Sequence, residues 1–289
     1  MSTLVERGSV VVGIDGSSHS ELALAWAVHQ AETERRPLAI VHAAGAVPIT
    51  SVGSPVAESR RQLRIVGRRI TDHALGYVVK RSPDLRVNVV MKLGDPQSLL
   101  LEASESASVV VLGSRGRGAL TSLLLGSVSV AVSASARCPV VVVRQSADQG
   151  PGRIVVGIDG SETSLGAVGF AFGQASLRDR PLTVLLVEWA PMDGLSEAGG
   201  LLTDTDGAEA ESRLLISETL AGFKEKYPDV DVSVEVKRGE PAPVLVRESM
   251  RASMIVVGSR GRGNARALLM GSTSRSVVEH AHCTVAVAR

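Results

Sequence analysis

Two stretches of the chain have the residues to hold an anion through the main chain. They are "GSRGRGALTSLLLGS", Gly113 to Ser127, and "GSRGRGNARALLMGS", Gly258 to Ser272. In each, the glycines fall at the same steps: Gly, two residues, Gly, nine residues, Gly-Ser. Glycine lets N–H groups approach a ligand without a Cβ in the way. A Gly-Ser pair opening a helix offers free N–H groups, the positive end of the helix dipole and a hydroxyl, a combination suited to phosphate. Arg115 and Arg117 add positive charge, as do Arg260 and Arg262 in the second copy. The chemistry implied is a polyphosphate cradle. A tight strand-to-helix turn explains one such loop equally well, but two loops at the same place in the fold favour the cradle.

A second recurring element is "GIDGS", which puts Asp15 and Asp159 at the end of a first strand in each half. A carboxylate there could accept hydrogen bonds from a nucleoside; a turn or helix-capping aspartate is the competing reading. The loop is neither a Walker A sequence nor a dinucleotide fingerprint, because no G-x-x-x-x-G-K-[ST] occurs and no G-x-G-x-x-G follows the first strand. Other reactive residues form no site. The histidines His19, His29, His42, His73, His280 and His282 make no metal pattern with Cys138 and Cys283, which read as buried thiols. Asp204 and Asp206 lack the rest of a calcium loop. No nucleophile–base relay is visible, so no catalytic residue is assigned, and binding is favoured over fast turnover.

The elements that carry these residues come twice. "VVVGIDGS" at 10–17 returns as "IVVGIDGS" at 154–161, "LGDP" at 93–96 as "RGEP" at 238–241, and "SVVVLGSRGRG" at 108–118 as "SMIVVGSRGRG" at 253–263. A period near 145 residues means a duplicated domain rather than a solenoid. The expected domains are 1–146 and 152–289, joined by a polar, Gly/Pro-containing linker at 147–151.

Each copy alternates strand and helix. In the first, strands are expected at Val10–Ile14, Leu38–Ala43, Arg86–Met91, Val109–Leu112 and Val140–Val143. Ser18-x-x-Glu21 resembles a capping box and opens a helix running to about Glu34. Leu63, Val66, Ile70, Ala74 and Tyr77 form a helix stripe, as do Ile216, Leu220, Phe223 and Tyr227 in the second copy. Shorter helices follow at 96–106 and Ser127–Ser135. Such a pattern builds an α/β domain with a five-stranded parallel sheet covered on both faces. Ala44–Pro55 and Ala190–Gly207 fall outside it and read as loops over the carboxyl ends of the strands, the edge where open α/β sheets bind ligands.

Composition narrows the function. Thirty-one Lys+Arg against 30 Asp+Glu leave a net charge of +1, and aromatics are 2%, so neither the electrostatics nor the stacking surfaces expected of a nucleic-acid binder are present. No apolar stretch approaches the ~18 residues of a membrane span, and no signal peptide is evident. The chain reads as cytoplasmic, with no membrane partner.

"GIDGS", the G-2x-G-9x-G-[ST] loop and the closing "CPVVVV"-type strand, in this order in both halves, resemble a tandem universal stress protein of the ATP-binding branch. The resemblance implies a Rossmann-like, adenine nucleotide alpha hydrolase-like sheet of order 3-2-1-4-5 in each domain. By its implication, Asp15 meets adenosine, Ala43 offers backbone contacts to adenine and Gly113 approaches the ribose, while Gly116, Gly126, Ser127 and Val128 hold the phosphates. The matching set is Asp159, Val187, Gly258, Gly261, Gly271, Ser272 and Thr273. Ala43 is smaller than the valine frequent at that position, and His42 is matched by Leu186.

The function expected is a nucleotide-dependent stress or growth regulator with two ATP sites, each with Mg²⁺ on the phosphates, acting on an unknown protein partner. The alternatives are a slow ATPase or phosphotransferase and an interaction scaffold with structural nucleotide. An internal pseudo-dimer through strand five, with a further homodimer, would cover the valines of Val140–Val143.

Overall fold

The computed structural model describes residues 3–45, 56–116, 125–144, 152–188, 216–217, 220–261 and 270–289. The chain divides into two compact units, Met1–Asp148 and Gln149–Arg289.

In the first unit, β1 (Val10–Gly13), β2 (Leu38–Ala43), β3 (Val87–Lys92), β4 (Val109–Gly113) and β5 (Val140–Val143) form a parallel sheet in the order β3-β2-β1-β4-β5. Each strand of the centre is a short run of β-branched residues, and Val10, Val11, Val12, Val110 and Val111 are buried, as strands covered on both faces require. The helices are α1 (Ser18–Thr33), α2 (Val56–Arg81), α3 (Pro96–Ser104) and α4 (Ser127–Ser135). The first two pack against each other and on the sheet, as do α3 and α4.

The second unit repeats the plan with β6 (Arg153–Ile158), β7 (Leu182–Glu188), β8 (Val232–Arg238), β9 (Ala252–Gly258) and β10 (Thr284–Ala288), in the order β8-β7-β6-β9-β10 and again parallel. Its helices include α5 (Glu162–Arg178), α6 (Pro241–Glu248) and α7 (Ser272–His280). Residues 220–226 are also helical, and Phe223 and Tyr227 stack on Phe172 of α5 with ring centroids 5.5 and 5.8 Å apart. The α/β class and the 3-2-1-4-5 order are therefore those the sequence leads one to expect.

Some local expectations need correction. The cap of α1 is Ser17, one residue before the Ser18-x-x-Glu21 box; its Oγ accepts from the N–H of Ser20 at 3.2 Å. The stripe on α2 is displaced as well. Val66 and Tyr77 are 43% and 40% exposed, and the buried line runs through Gly67, Thr71, Ala74 and Val78. The reason is close approach: a Cβ on Gly67 would lie 2.8 Å from Met91 Sδ and 3.2 Å from His42 Cδ2. The helix settles on its small residues, whereas periodicity selects the large ones. Strand three begins at Val87 rather than Arg86 and ends at Lys92. The loops expected after strand two lie outside the described residues beyond Gly45 and from residue 189. Cys138 and Cys283 are buried free thiols.

Candidate functional site

Register puts the ends of β2, β1 and β4 side by side, since Gly13 lies opposite Val41 and β4 flanks β1 on the other edge. These ends and the start of α4 border a cavity of about 380 Å³. The ends of β7, β6 and β9 and the start of α7 border one of about 290 Å³.

The aspartates are held by their own turns. Gly16 and Gly160 both have φ 77°, a left-handed turn that glycine makes without strain. Asp15 Oδ1 then accepts from the Ser17 N–H at 3.0 Å and its hydroxyl at 2.6 Å. Asp159 Oδ1 accepts from Ser161 in the same way and from the Ser164 hydroxyl at 2.6 Å. The other oxygen of each carboxylate reaches the glycine loop. A Cβ on Gly116 would stand 2.6 Å from Asp15 Oδ2, and one on Gly261 2.5 Å from Asp159 Oδ2. The first turn and the glycine loop are thus one construction, and the middle glycine is required by the carboxylate.

The loop is pinned where it leaves and returns. The Ser114 N–H donates to the Val143 carbonyl at 3.0 Å, and the Gly126 N–H donates to the Ser114 carbonyl at 2.8 Å. The Ser129 hydroxyl donates to the Gly113 carbonyl at 2.8 Å. Ser259, Gly271 and Ser274 make the equivalent bonds at 2.8, 2.9 and 2.5 Å.

Gly126 and Gly271 are the N-caps of α4 and α7, and neither helix has a side-chain cap. The N–H groups of the next three residues therefore have no acceptor within the helix. Both glycines are in ordinary extended conformation, φ −75°, ψ 143° and φ −67°, ψ 152°. A Cβ on either would find its nearest neighbour at 3.6 Å, an ordinary contact. The glycine is needed neither for the backbone nor for packing, so a tight turn does not account for it. Gly113 is the opposite case: a Cβ there would meet the backbone carbonyl of His19 at 2.6 Å. That glycine serves the close approach of α1 to β4, whatever it offers a ribose.

His19 reports the local field. Its pKa is lowered first by burial and then by Arg115; Asp15 opposes this, and Arg144 adds to it.

Asp15, Ala43, Gly113, Arg115, Gly116, Gly126, Ser127 and Val128 all line the first cavity. Asp159, Val187, Gly258, Arg260, Gly261, Gly271, Ser272 and Thr273 line the second. Arg117 and Arg262 lie outside the described residues. The serines that aim these groups, and Leu100 and Leu245 beneath them, are further members that motif reading passed over. Their signal is present in the repeated D-G-S-x-x-S and G-S-x-S spacings. Among the described residues no cluster of His, Cys, Asp or Glu could hold a metal ion, and no helix is long and apolar enough to cross a membrane.

The model of the universal stress protein family matches the chain twice, over residues 6–144 and 151–289. Universal stress protein Rv2005c of Mycobacterium tuberculosis is 36% identical over 301 residues, covering 100% of this chain and 99% of its own. Universal stress protein Rv2623 of the same organism is 35% identical over 290 residues, covering 97% of this chain and 96% of its own. The crystal structure of a universal stress protein from Archaeoglobus fulgidus superposes with a TM-score of 0.68 at 22% identity, covering 98% and 97% of the two chains, and bears out the fold. With its two family matches and full-length relatives, the chain belongs to the universal stress protein family.

Proposed function

We propose that the chain is a nucleotide-responsive regulator that binds ATP in each unit, with Mg²⁺ carried on the phosphates. The observation that carries this reading is the pair of N-cap glycines. Ser, Asp or Asn would stabilise α4 and α7 by a few tenths of a kcal/mol more at that position. Gly126 and Gly271 have room for a side chain and lack one, which leaves the helix N-termini open to the cavity. An open N-terminus suits phosphate through its N–H groups and dipole.

The rest of each cavity fits the remainder of a nucleotide. From α4 the cavity passes the Asp15 carboxylate and reaches an apolar end made by Val41, Ala43, Pro96 and Leu99. A phosphate at the first position, a sugar hydroxyl at the second and a base at the third follow the polarity of the walls. Within this proposal, Ser127 and Val128 hold phosphate through their N–H groups, and Arg115 adds charge at the rim. Mg²⁺ takes its other ligands from water, as is usual for this ion. ATP supplies the charge whose presence or absence sets the loop conformation shown to a protein partner, and the protein works in the cytoplasm.

Native mass spectrometry of the purified chain, followed by acid release of any retained small molecule, tests the reading. The expected result is up to two adenine nucleotides per chain, removable by dialysis against chelator and restored by ATP with Mg²⁺. A chain that retains none and takes up none at millimolar ATP contradicts it.

A further inference from the structure

The two cavities are not copies of each other. Ala43 and Val187 hold the same place, at the end of the second strand opposite Lys92 and Lys237. Both face their cavity at the end away from the uncapped helix. The first cavity is the larger, about 380 against 290 Å³. The neighbouring exchanges act in both directions: Val41 stands where the second cavity has the larger Leu185, so the first β2 wall is smaller at two positions, whereas Leu112 stands where the second cavity has the smaller Val257, and Leu125 and Met270 are close in size.

Space left by a small side chain shrinks in part as the surrounding structure relaxes, to an extent set by how freely it can move. Here the strand is held back. The His42 ring, buried on the other face of β2, donates from Nδ1 to the Ile14 carbonyl at 2.8 Å. The Ile14 N–H donates to the Val41 carbonyl at 3.0 Å, and the Ala44 N–H to the Lys92 carbonyl at 2.9 Å. Leu186 replaces His42 in the second unit and has no ring nitrogen to make that tie.

We propose that the sites differ in the base they admit: the first accepts an adenine nucleotide enlarged at its ring edge, and the second only the unsubstituted ring. This rests on the proposed placement of phosphate at the helix N-terminus, which sends the base to Ala43 or Val187. Two extra methyl groups in the apolar wall discriminate by ~10-fold or more.

The test is calorimetric titration of the full chain with ATP, 2-methylthio-ATP and 1,N6-etheno-ATP. These analogues enlarge different edges of the ring. The expected result is two sites for ATP and one for at least one analogue. Ala43→Val should weaken that analogue at least ~10-fold while ATP still fills two sites, and Val187→Ala should open a second analogue site. Because Val187→Ala acts in the other unit, it keeps the test valid if Ala43→Val folds poorly. Analogue binding at both sites or at neither, with ATP at two, overturns the inference and leaves the nucleotide reading standing. No binding of ATP removes both.

Discussion

Glycines of one motif carry different loads, and substitution separates them. Gly113→Ala puts a Cβ 2.6 Å from the His19 carbonyl carbon and oxygen, both backbone. The expected cost is about 1–3 kcal/mol in chemical denaturation, because helix α1 must shift. Gly126→Ala meets nothing closer than 3.6 Å and keeps a φ that alanine readily adopts. Its stability without ligand should stay within about 0.5 kcal/mol of the parent, while ATP binding at the first site weakens. Loss of stability at Gly126 comparable to that at Gly113 would mean the cap glycine is architectural. The glycine spacing is legible in sequence, and so is its place before a helix. Which glycine faces a neighbour and which faces the cavity is not legible, because the deciding atoms, His19 of α1 for one and Asp15 after β1 for another, come from a distant part of the chain.

At the scale of elements, the helix under each cavity must be held to the sheet. In the second unit this is done by charge: Arg153 and Lys237 pair with Glu248 of α6 at 2.5 and 2.6 Å, and with Glu235 of β8 at 2.9 Å each. The Glu235 carboxyl is held below its usual value chiefly by the Lys237 hydrogen bond, against burial, with Arg153 assisting. Burial would lower the Lys237 pKa, but its bonds to Glu248 and Glu235 raise it above the usual value. A depressed carboxyl pKa contributes stability above the ordinary glutamate value and loses it as the pH falls through the folded one. A raised lysine pKa contributes below the ordinary lysine value and loses it as the pH rises through the folded one. Glu235→Gln should therefore destabilise the chain at pH 7 by about 1 kcal/mol, the groups being partly exposed and screened. Denaturation at pH 7 and again in acid checks this: the gap between variant and parent should close as the glutamate protonates. A gap that persists in acid would assign the effect to packing.

Strand and helix positions were largely legible, because β-branched runs and Pro/Asp starts such as Asp95-Pro96 are local signals, whereas the strand order followed from the family resemblance. The α2 face was not, because the sheet beneath it decides how closely it docks. Asp95 is such a local signal with its own titration. The Ser98 N–H, at 2.8 Å, and the Ser98 hydroxyl lower its pKa. Asp95→Ala should fray α3 at neutral pH and make no difference in acid, as helix content by circular dichroism would record.

Over the whole molecule, the duplication was readable from the 144- to 145-residue offset of its motifs, and the family model matches each half separately. The inequality of the halves was less visible. Ala43 and Val187 stand out in an alignment of the two copies, but which side chains share a cavity wall with them, such as Val41 and Leu185, is set by the fold. The central claim is that each unit has one phosphate cradle at an uncapped helix. The most direct test is the stoichiometry of ATP with Mg²⁺ binding in one calorimetric series on the parent chain, Gly126→Glu, Gly271→Glu and the double variant. The glutamate would occupy the phosphate's place and repel its charge at the helix N-terminus. The account predicts two, one, one and zero sites, with unchanged thermal midpoints in the absence of nucleotide. Two sites retained in the folded double variant would contradict it.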